Sequence, residues 1–451
     1  MNNKDQYKRL LTFSEVIILL AVHTVIYIIL WNEVFVHEFT APLYRRGSLA
    51  LQAVYPVMLV GFGKLLGLFD VSSKRRSELV FSHFGTTLFT NAFMYFLLVL
   101  AIRSYIRVWE LILLFIGENI LAVIWVIVIK KLNNRIYPPR DMLFIHGGYS
   151  YKEIAFVIQE KSERYHISET ISIYEDSEKV KELIDRYHSI LLSDIPAQER
   201  NDIVKHCYET GKRVYMLPKL SDILIRSASD VHISDNQIFL LKSYGLSFDQ
   251  KLVKRAFDIV FSVLAIIISS WIMGIVALAI KLDDKGPVFY RQDRLTRDGK
   301  VFRIIKFRSM RVDAEKDGAR LYKDHDDRVT RVGRFIRVTH LDEIPQLFNV
   351  LKGEMSVVGP RPERPEIMEE YIKNVPEFKY RLKVKGGMTG FAQVFGKYNT
   401  TPYNKLRLDL FYIQNYSFWM DLKCIVSTLK IFWRSETSEG VAEDQTTALK
   451  K

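Results

Sequence analysis

Four apolar stretches open the chain, at about Phe13 to Trp31, Ser48 to Phe69, Thr86 to Ile106 and Val108 to Ile129. Each is close to the roughly 20 residues a helix needs to cross a bilayer, so the pattern predicts four transmembrane helices. A cleavable signal peptide does not account for the first stretch, because no small-residue cleavage site follows it and three similar stretches come after. Basic clusters at Lys4, Lys8 and Arg9, at Lys74, Arg75 and Arg76, and at Lys130, Lys131 and Arg135 share one side if all four stretches cross. The positive-inside preference makes that side the cytoplasm, with Arg45 and Arg46 outnumbered. Lys64, Glu118 and Asn119 fall inside the apolar stretches. A Lys64 to Glu118 pair, or hydrogen bonds between helices, is the expected way of burying them.

From Arg140 to Pro218 the hydrophobic period shortens. β-rich runs (DMLFIHG, HISETISIYE, SILLSD, RVYMLP) alternate with helical ones (YKEIAFVIQEKSE, SEKVKELIDRY, PAQERNDIVKHCYETG). This predicts a Rossmann-like βαβ domain with a parallel sheet. Its first strand ends in His146-Gly147-Gly148, which is small enough to approach a phosphate, but no G-x-G-x-x-G follows. A scaffolding or regulatory module is therefore expected rather than a dinucleotide site.

A fifth apolar run, Ala256 to Ile280, has Lys251, Lys254 and Arg255 before it and Lys281, Lys285 and Arg291 after it. Both flanks favour the cytoplasm, which predicts a helix that enters the bilayer and returns; a plain fifth span is the alternative. Ser269, Ser270 and Gly274 are the available bend points. Near the end, Ser417 to Arg434 mixes Trp419 and Trp433 with Lys423, Lys430 and Arg434, as an interfacial helix would, with a buried soluble helix as the alternative.

Composition agrees with this layout: of 451 residues 49% are hydrophobic, yet 25% are charged. The fold class is membrane α plus α/β. Four transmembrane helices (1–135) precede the Rossmann-like domain (140–240), a C-terminal α-rich unit anchored by the re-entrant helix (250–435) and a polar tail (436–451). The net charge of +13 calls for an anionic partner, whether nucleic acid, acidic lipid or a phosphorylated substrate. Cys207 and Cys424 show no metal-ligand spacing and are expected to be reduced thiols.

The basic residues concentrate between Arg294 and Arg337, 14 Lys or Arg against 7 acids. Arginine forks suit a pyrophosphate or lipid headgroup, and the absence of an aromatic-interleaved ladder or a known module argues against nucleic acid. Next comes Thr339-His340-Leu341-Asp342-Glu343-Ile344-Pro345. Thr339 and Asp342 match a capping box and Pro345 a first helical turn, which would put both acids at a helix N-terminus. There a carboxylate stays ionised and suits nucleophilic attack on phosphorus, while its neighbour can share a hard divalent cation; simple capping is the competing reading. Three prolines make Val357 to Pro365 a rigid loop that restrains Arg361 and Arg364, and Gly386 to Gly390 reads as a tight turn into Phe391-Ala392-Gln393.

KRAFDIV, GPVFYRQDR, FRIIKFRSM, RVTRVGRFIRVTHLDEIPQLFNVLKGEMSVVGPRPERPE and GGMTGFAQV, in this order over about 250–435, resemble the bacterial sugar transferase family of monotopic polyprenyl-phosphate hexose-1-phosphate transferases. Four preceding spans and a βαβ domain resemble its large subgroup, which includes undecaprenyl-phosphate glucose and galactose phosphotransferases. The resemblance implies that Asp342 attacks the sugar-linked phosphate of a UDP-sugar, UMP leaves, and undecaprenyl phosphate then takes the phosphosugar. It makes Asp342 and Glu343 the catalytic dyad and the site of Mg2+ or Mn2+. Lys306, Arg308, Arg337, Arg361, Arg364 and Gln393 are assigned to substrate and phosphate binding. The implied setting is the cytoplasmic face of the bacterial inner membrane, with a homo-oligomer left open. One departure stands out: the family's re-entrant helix commonly bends at Ser-Pro, and this chain reads Ser270-Trp271.

Other classes fit less well. A non-catalytic membrane adaptor explains the charge but not the acid pair beside a proline-rich loop. A sugar nucleotide dehydratase would need a glycine-rich NAD loop, and a transporter would need more than four unrepeated helices.

Overall fold

The computed structural model describes residues 7–39, 44–71, 74–105, 107–148, 152, 154–156, 158, 164–241, 245–311, 328–396 and 400–431. Most of the helical run expected over 151–163, most of the acid-rich part of the basic segment, and the polar tail lie outside these residues. Two compact units divide at Pro218/Lys219.

The first unit opens with helices α1 (Lys8–Glu33), α2 (Arg45–Leu66), α3 (Arg76–Ile102) and α4 (Trp109–Ile136). They have apolar residues on both faces, as helices between a packed interior and lipid require. Tyr27, Trp31, Tyr55, Met94 and Leu98 fill the inside, while Ile18, Ile29, Phe96 and Leu113 remain exposed. Among the described residues, five helices are long and apolar enough to cross a membrane: these four and one in the second unit. Several buried polar groups pair across the bundle. Glu118 accepts from the Tyr55 hydroxyl and, at 2.8 Å, from Asn91, and His23 meets His83 at 3.0 Å. The expected Lys64 to Glu118 pair does not form: Lys64 lies on an exposed face, and hydroxyl and amide donors satisfy the buried carboxylate at less desolvation cost than an ammonium.

Four parallel strands follow in the order β2 (Tyr165–Ser172), β1 (Arg140–His146), β3 (Ser189–Ser193), β4 (Arg213–Met216). Leu143, Ile145, Ile190 and Leu192 bury one face against Val180, Ile184 and Ile203 of the intervening helices. Gly147 and Gly148 serve a close approach, but of protein: an added Cβ would lie 2.2 Å from the Asp194 carbonyl at the first and 2.3 Å from the Asp194 carboxylate at the second. An acid beside the loop disfavours the phosphate that the glycines suggested.

The second unit begins earlier than the domain limit near 240 expected from sequence. Helix Leu220–Arg226 already packs into it, with Ile223 in its core and Ser227 hydrogen-bonded to Gln414 at 3.0 Å. A 37-residue helix, α8 (Phe248–Asp284, the eighth of the described helices), is docked near both ends. Near its start Lys254 pairs with Asp421 at 2.6 Å, Arg255 donates to the Val350 and Leu351 carbonyls, and Asp258 accepts from Ser356 and Val357 at 3.0 Å. Near its end Val276 and Ile280 pack on Phe307 and Ile336. Between these footholds Val263, Leu264, Ile267, Ile268, Trp271 and Ile275 are exposed. The helix passes unbroken through Ser270-Trp271; the Ser269 and Ser270 hydroxyls donate back to the Ala265 and Ile267 carbonyls, at 2.6 and 2.8 Å. Such back-bonding bends helices without breaking them.

The rest of this unit is a hairpin of β5 (Ser229–Ile233) and β6 (Asn236–Leu240), a second hairpin of β7 (Phe289–Leu295) and β8 (Val301–Phe307), short helices, and two parallel strands, β9 (Ser356–Val358) and β10 (Gly387–Thr389). The Gly386–Gly390 segment is thus part of a strand pair and not a tight turn. Its glycines admit the neighbouring backbone: a Cβ on Gly390 would lie 2.1 Å from the Gly359 carbonyl. The last helix, Phe418–Ile431, buries Asp421 and Cys424 in the core and exposes Trp419.

Candidate active site

Strand β8 alternates Phe302 and Ile304 into the core, and continuing that face brings up Lys306. Asn349, on helix Gln346–Lys352 just beyond the acid pair, hydrogen-bonds β8 as a neighbouring strand would. It accepts from Ile305 N–H at 2.9 Å and donates to the Arg303 carbonyl at 2.8 Å. This amide fixes the lysine strand against the acid-bearing segment. The signal for it was a lone polar residue in the apolar run LFNVL.

The acids are presented differently from the expected capping box. Thr339 ends helix Arg331–Val338 and its hydroxyl donates back to Phe335 at 2.8 Å, so it caps nothing downstream. His340 then adopts φ 52°, ψ 19°, a left-handed conformation uncommon for a side chain of this size, and turns the chain into a 3-10 turn, Leu341–Glu343. Pro345 is the cap of the next helix instead of its first residue. The acids therefore precede that helix: the turn places both, and cations hold Glu343.

Glu343 Oε1 accepts from Lys306 Nζ at 2.6 Å and from Arg361 Nη2 at 3.0 Å. Burial works against its ionisation, but Lys306 and Arg361 outweigh it and hold the carboxyl well below the usual range. Asp342 is buried, and among the described residues its carboxylate makes no hydrogen bond or ion pair. Burial pushes it up to about 6, Glu343 adds to the rise, and Lys306, Arg337 and Arg361 oppose it. Two adjacent carboxyls pushed in opposite directions mark a division of labour.

Arg361 owes its place to the proline-rich loop. Gly359 N–H bonds the Thr389 carbonyl at 2.8 Å and Gly387 N–H the Pro360 carbonyl at 2.9 Å, so β10 clamps both sides of the turn. Behind it Glu363 meets Arg381 at 3.0 Å and also Lys405, and Arg381 meets Asp409 at 2.8 Å. Sequence reasoning missed this network, because its members lie up to 46 positions apart and carry no shared motif.

The structure brings Lys306 and Arg361 to Glu343, with Arg337 close enough for its charge to bear on Asp342. Arg308 is instead buried against Asp284. Arg364 caps helix Pro365–Asn374, and Gln393 donates to the Met388 carbonyl at 3.2 Å. Among the described residues no cluster of three or more His, Cys, Asp or Glu could hold a metal ion. The acid pair alone suits a cation that draws its other ligands from phosphates and water.

Fold and site together define a membrane-associated protein with two adjacent acids, Asp342 buried and Glu343 held by two cations. The model of the family described as bacterial sugar transferase matches residues 249–435. A Bacillus subtilis protein provisionally named an undecaprenyl-phosphate N-acetylgalactosaminyl 1-phosphate transferase is 47% identical over 130 residues, 29% of this chain and 73% of that one. The chain belongs to the bacterial sugar transferase family. An Aeromonas hydrophila UDP-N-acetylgalactosamine-undecaprenyl-phosphate N-acetylgalactosaminephosphotransferase is 37% identical over 252 residues, 54% of this chain and 59% of its own. An Escherichia coli UDP-glucose:undecaprenyl-phosphate glucose-1-phosphate transferase is 41% identical over 232 residues, half of each chain. The chain thus spans about half the length of several curated relatives it matches.

Proposed function

We propose that this chain transfers a hexose 1-phosphate from a UDP-sugar to undecaprenyl phosphate and releases UMP. This would be the first membrane step of exopolysaccharide, capsule or O-antigen synthesis, on the cytoplasmic face of the bacterial inner membrane. The observation that carries the reading is the Asp342 carboxylate, unpartnered among the described residues, beside a Glu343 that takes two cations. An oxygen of Asp342 attacks the sugar-linked phosphorus, the bond to the bridging oxygen breaks, and UMP departs with that electron pair. An oxygen of undecaprenyl phosphate then attacks the same phosphorus, and Asp342 leaves as the carboxylate. Lys306, Arg361 and Arg337 offset charge on the phosphoryl oxygens. Asp342 and Glu343 would hold Mg2+ or Mn2+, which would supply further charge neutralisation at the pyrophosphate.

The footholds of α8 support a re-entrant reading. Its exposed apolar residues run from Leu252 to Leu282, about 45 Å at 1.5 Å per residue, so length fits a span as well as a dip, and what favours the dip is where the two ends are held. Both ends belong to one compact unit, so a bilayer between them would split a packed core. With α1 to α4 as the spans, the protein crosses four times and dips once.

Incubating the purified protein with UDP-sugars and no lipid tests the mechanism. About one equivalent of UMP per site and a mass shift on the Asp342 peptide are expected, both lost in Asp342→Asn. Retention of transfer by that variant would leave direct displacement by the lipid as the mechanism.

A further inference from the structure

Helix α8 ends on two consecutive acids, and each holds a different segment of the site. Asp284 takes the guanidinium of Arg308, two residues beyond Lys306. Asp283 accepts at 3.1 Å from the backbone N–H of Val332, in the first turn of the helix that ends near Arg337 and leads through His340 to Asp342. The two segments also lock to each other. Thr330 N–H bonds the Ser309 carbonyl at 3.2 Å, and a Cβ on Gly333 would lie 1.9 Å from that same oxygen.

Stability is a weak explanation for the Asp284–Arg308 pair. The arginine is only 6% exposed, and a buried ion pair is commonly matched or bettered by apolar residues of the same volume. Its directionality is what an apolar pair would lack. Gly286 lies so close that a Cβ would be 2.0 Å from Arg308 Nη1, so backbone and carboxylate together leave the guanidinium one position.

We propose that Asp284 and Asp283 are positioning residues for phosphoryl transfer: Asp284 places Lys306 through Arg308, and Asp283 places Arg337 and the Asp342 turn through Val332. The inference rests on the reading of Asp342 and Glu343 as the reacting pair. It ties the seat of the membrane helix to the site, because the element that carries both acids is the one that meets the lipid phase.

The test uses the full chain in lipid nanodiscs, comparing Asp284→Asn, Asp284→Glu and Asp283→Asn with the unaltered protein. A misplacement of about 1 Å costs on the order of 100-fold in rate, so Asp284→Asn should lose about 10- to 100-fold in kcat with KM for the donor within about twofold. Asp284→Glu keeps the charge and should recover most of kcat. Amide exchange should quicken over residues 301–307 in Asp284→Asn and stay unchanged at 356–358. If Asp284→Asn fails to fold, Asp283→Asn carries the same test through its kcat and exchange over 331–338. A wild-type kcat, or activity that falls only with the folded fraction while exchange over 301–307 is unchanged, overturns the proposal. Should Asp342→Asn remain active, the underlying reading is what falls; the exchange measurement still decides whether Asp284 holds the Lys306 strand, and unchanged exchange overturns that too.

Discussion

Lys306 Nζ stands 2.6 Å from Glu343 Oε1, while Asp342, the next residue along, makes no such contact among the described residues. The cations thus gather on the acid that does not attack in the proposed mechanism, and its neighbour Asp342 is the one with the higher proton affinity. A nucleophile needs a free lone pair, and a carboxylate clamped by an ammonium and a guanidinium has its lone pairs engaged.

The first consequence is a pH dependence. Attack requires Asp342 deprotonated, and burial holds its carboxyl at about 6. Lipid-independent UMP release should therefore rise with pH through a midpoint near 6 and fall away on acidification. Lys306 favours the charged form, so Lys306→Met should move the midpoint upward and cut kcat by about 100-fold or more. A midpoint near 4, unmoved by Lys306→Met, would assign the limb to another group.

Metal dependence should be strict. An acid pair facing a pyrophosphate brings several negative charges together, and Lys306 and Arg361 already engage Glu343. Chelation with EDTA should abolish turnover, and Mg2+ or Mn2+ should restore it. Full turnover in excess chelator would show that the protein cations suffice.

Behind the site, Arg381 is 2% exposed and joins Glu363 to Asp409. Arg381→Met would leave two buried carboxylates short of a partner, at a cost of about 3–5 kcal/mol. Thermal or urea unfolding should show it, together with lower activity as the Arg361 loop loosens. By contrast Asp293→Asn removes only an exposed pair with Arg303 and should shift stability by under about 1 kcal/mol. Equal effects from the two substitutions would contradict this account.

Topology can be read directly. Lys251→Cys and Lys285→Cys flank the apolar part of α8, and the native Cys207 and Cys424 are buried. In intact cells neither introduced thiol should react with a membrane-impermeant reagent, and both should react after permeabilisation. Labelling of the Lys285→Cys protein from outside would make α8 a fifth span.

Much of the architecture was legible in local pattern, and for a physical reason. Helix and strand periods are properties of the chain's own geometry, so the apolar stretches of α1 to α4 and the alternating runs of β1 to β4 announced themselves, although α3 begins at Arg76, well before the expected Thr86, and α4 continues to Ile136, past the expected Ile129. The acid pair and the proline-rich loop were visible because each lies within a short span of sequence. Tertiary structure alone decided what those residues do to one another. Thr339 and Asp342 have capping-box spacing, yet the left-handed turn at His340 separates them. The glycines of Gly386–Gly390 read as a turn until the Gly359 backbone lies against them. Whether Lys306, Arg308 or Arg361 reaches Glu343 depends on strands and loops meeting across tens of residues, and composition treats those cations alike. Charge at a position is local, but the burial and partners that set a carboxyl's proton affinity come from packing. So the sequence determined which groups are present and on which elements, and the fold determined that Glu343 holds the cations and Asp342 stands free.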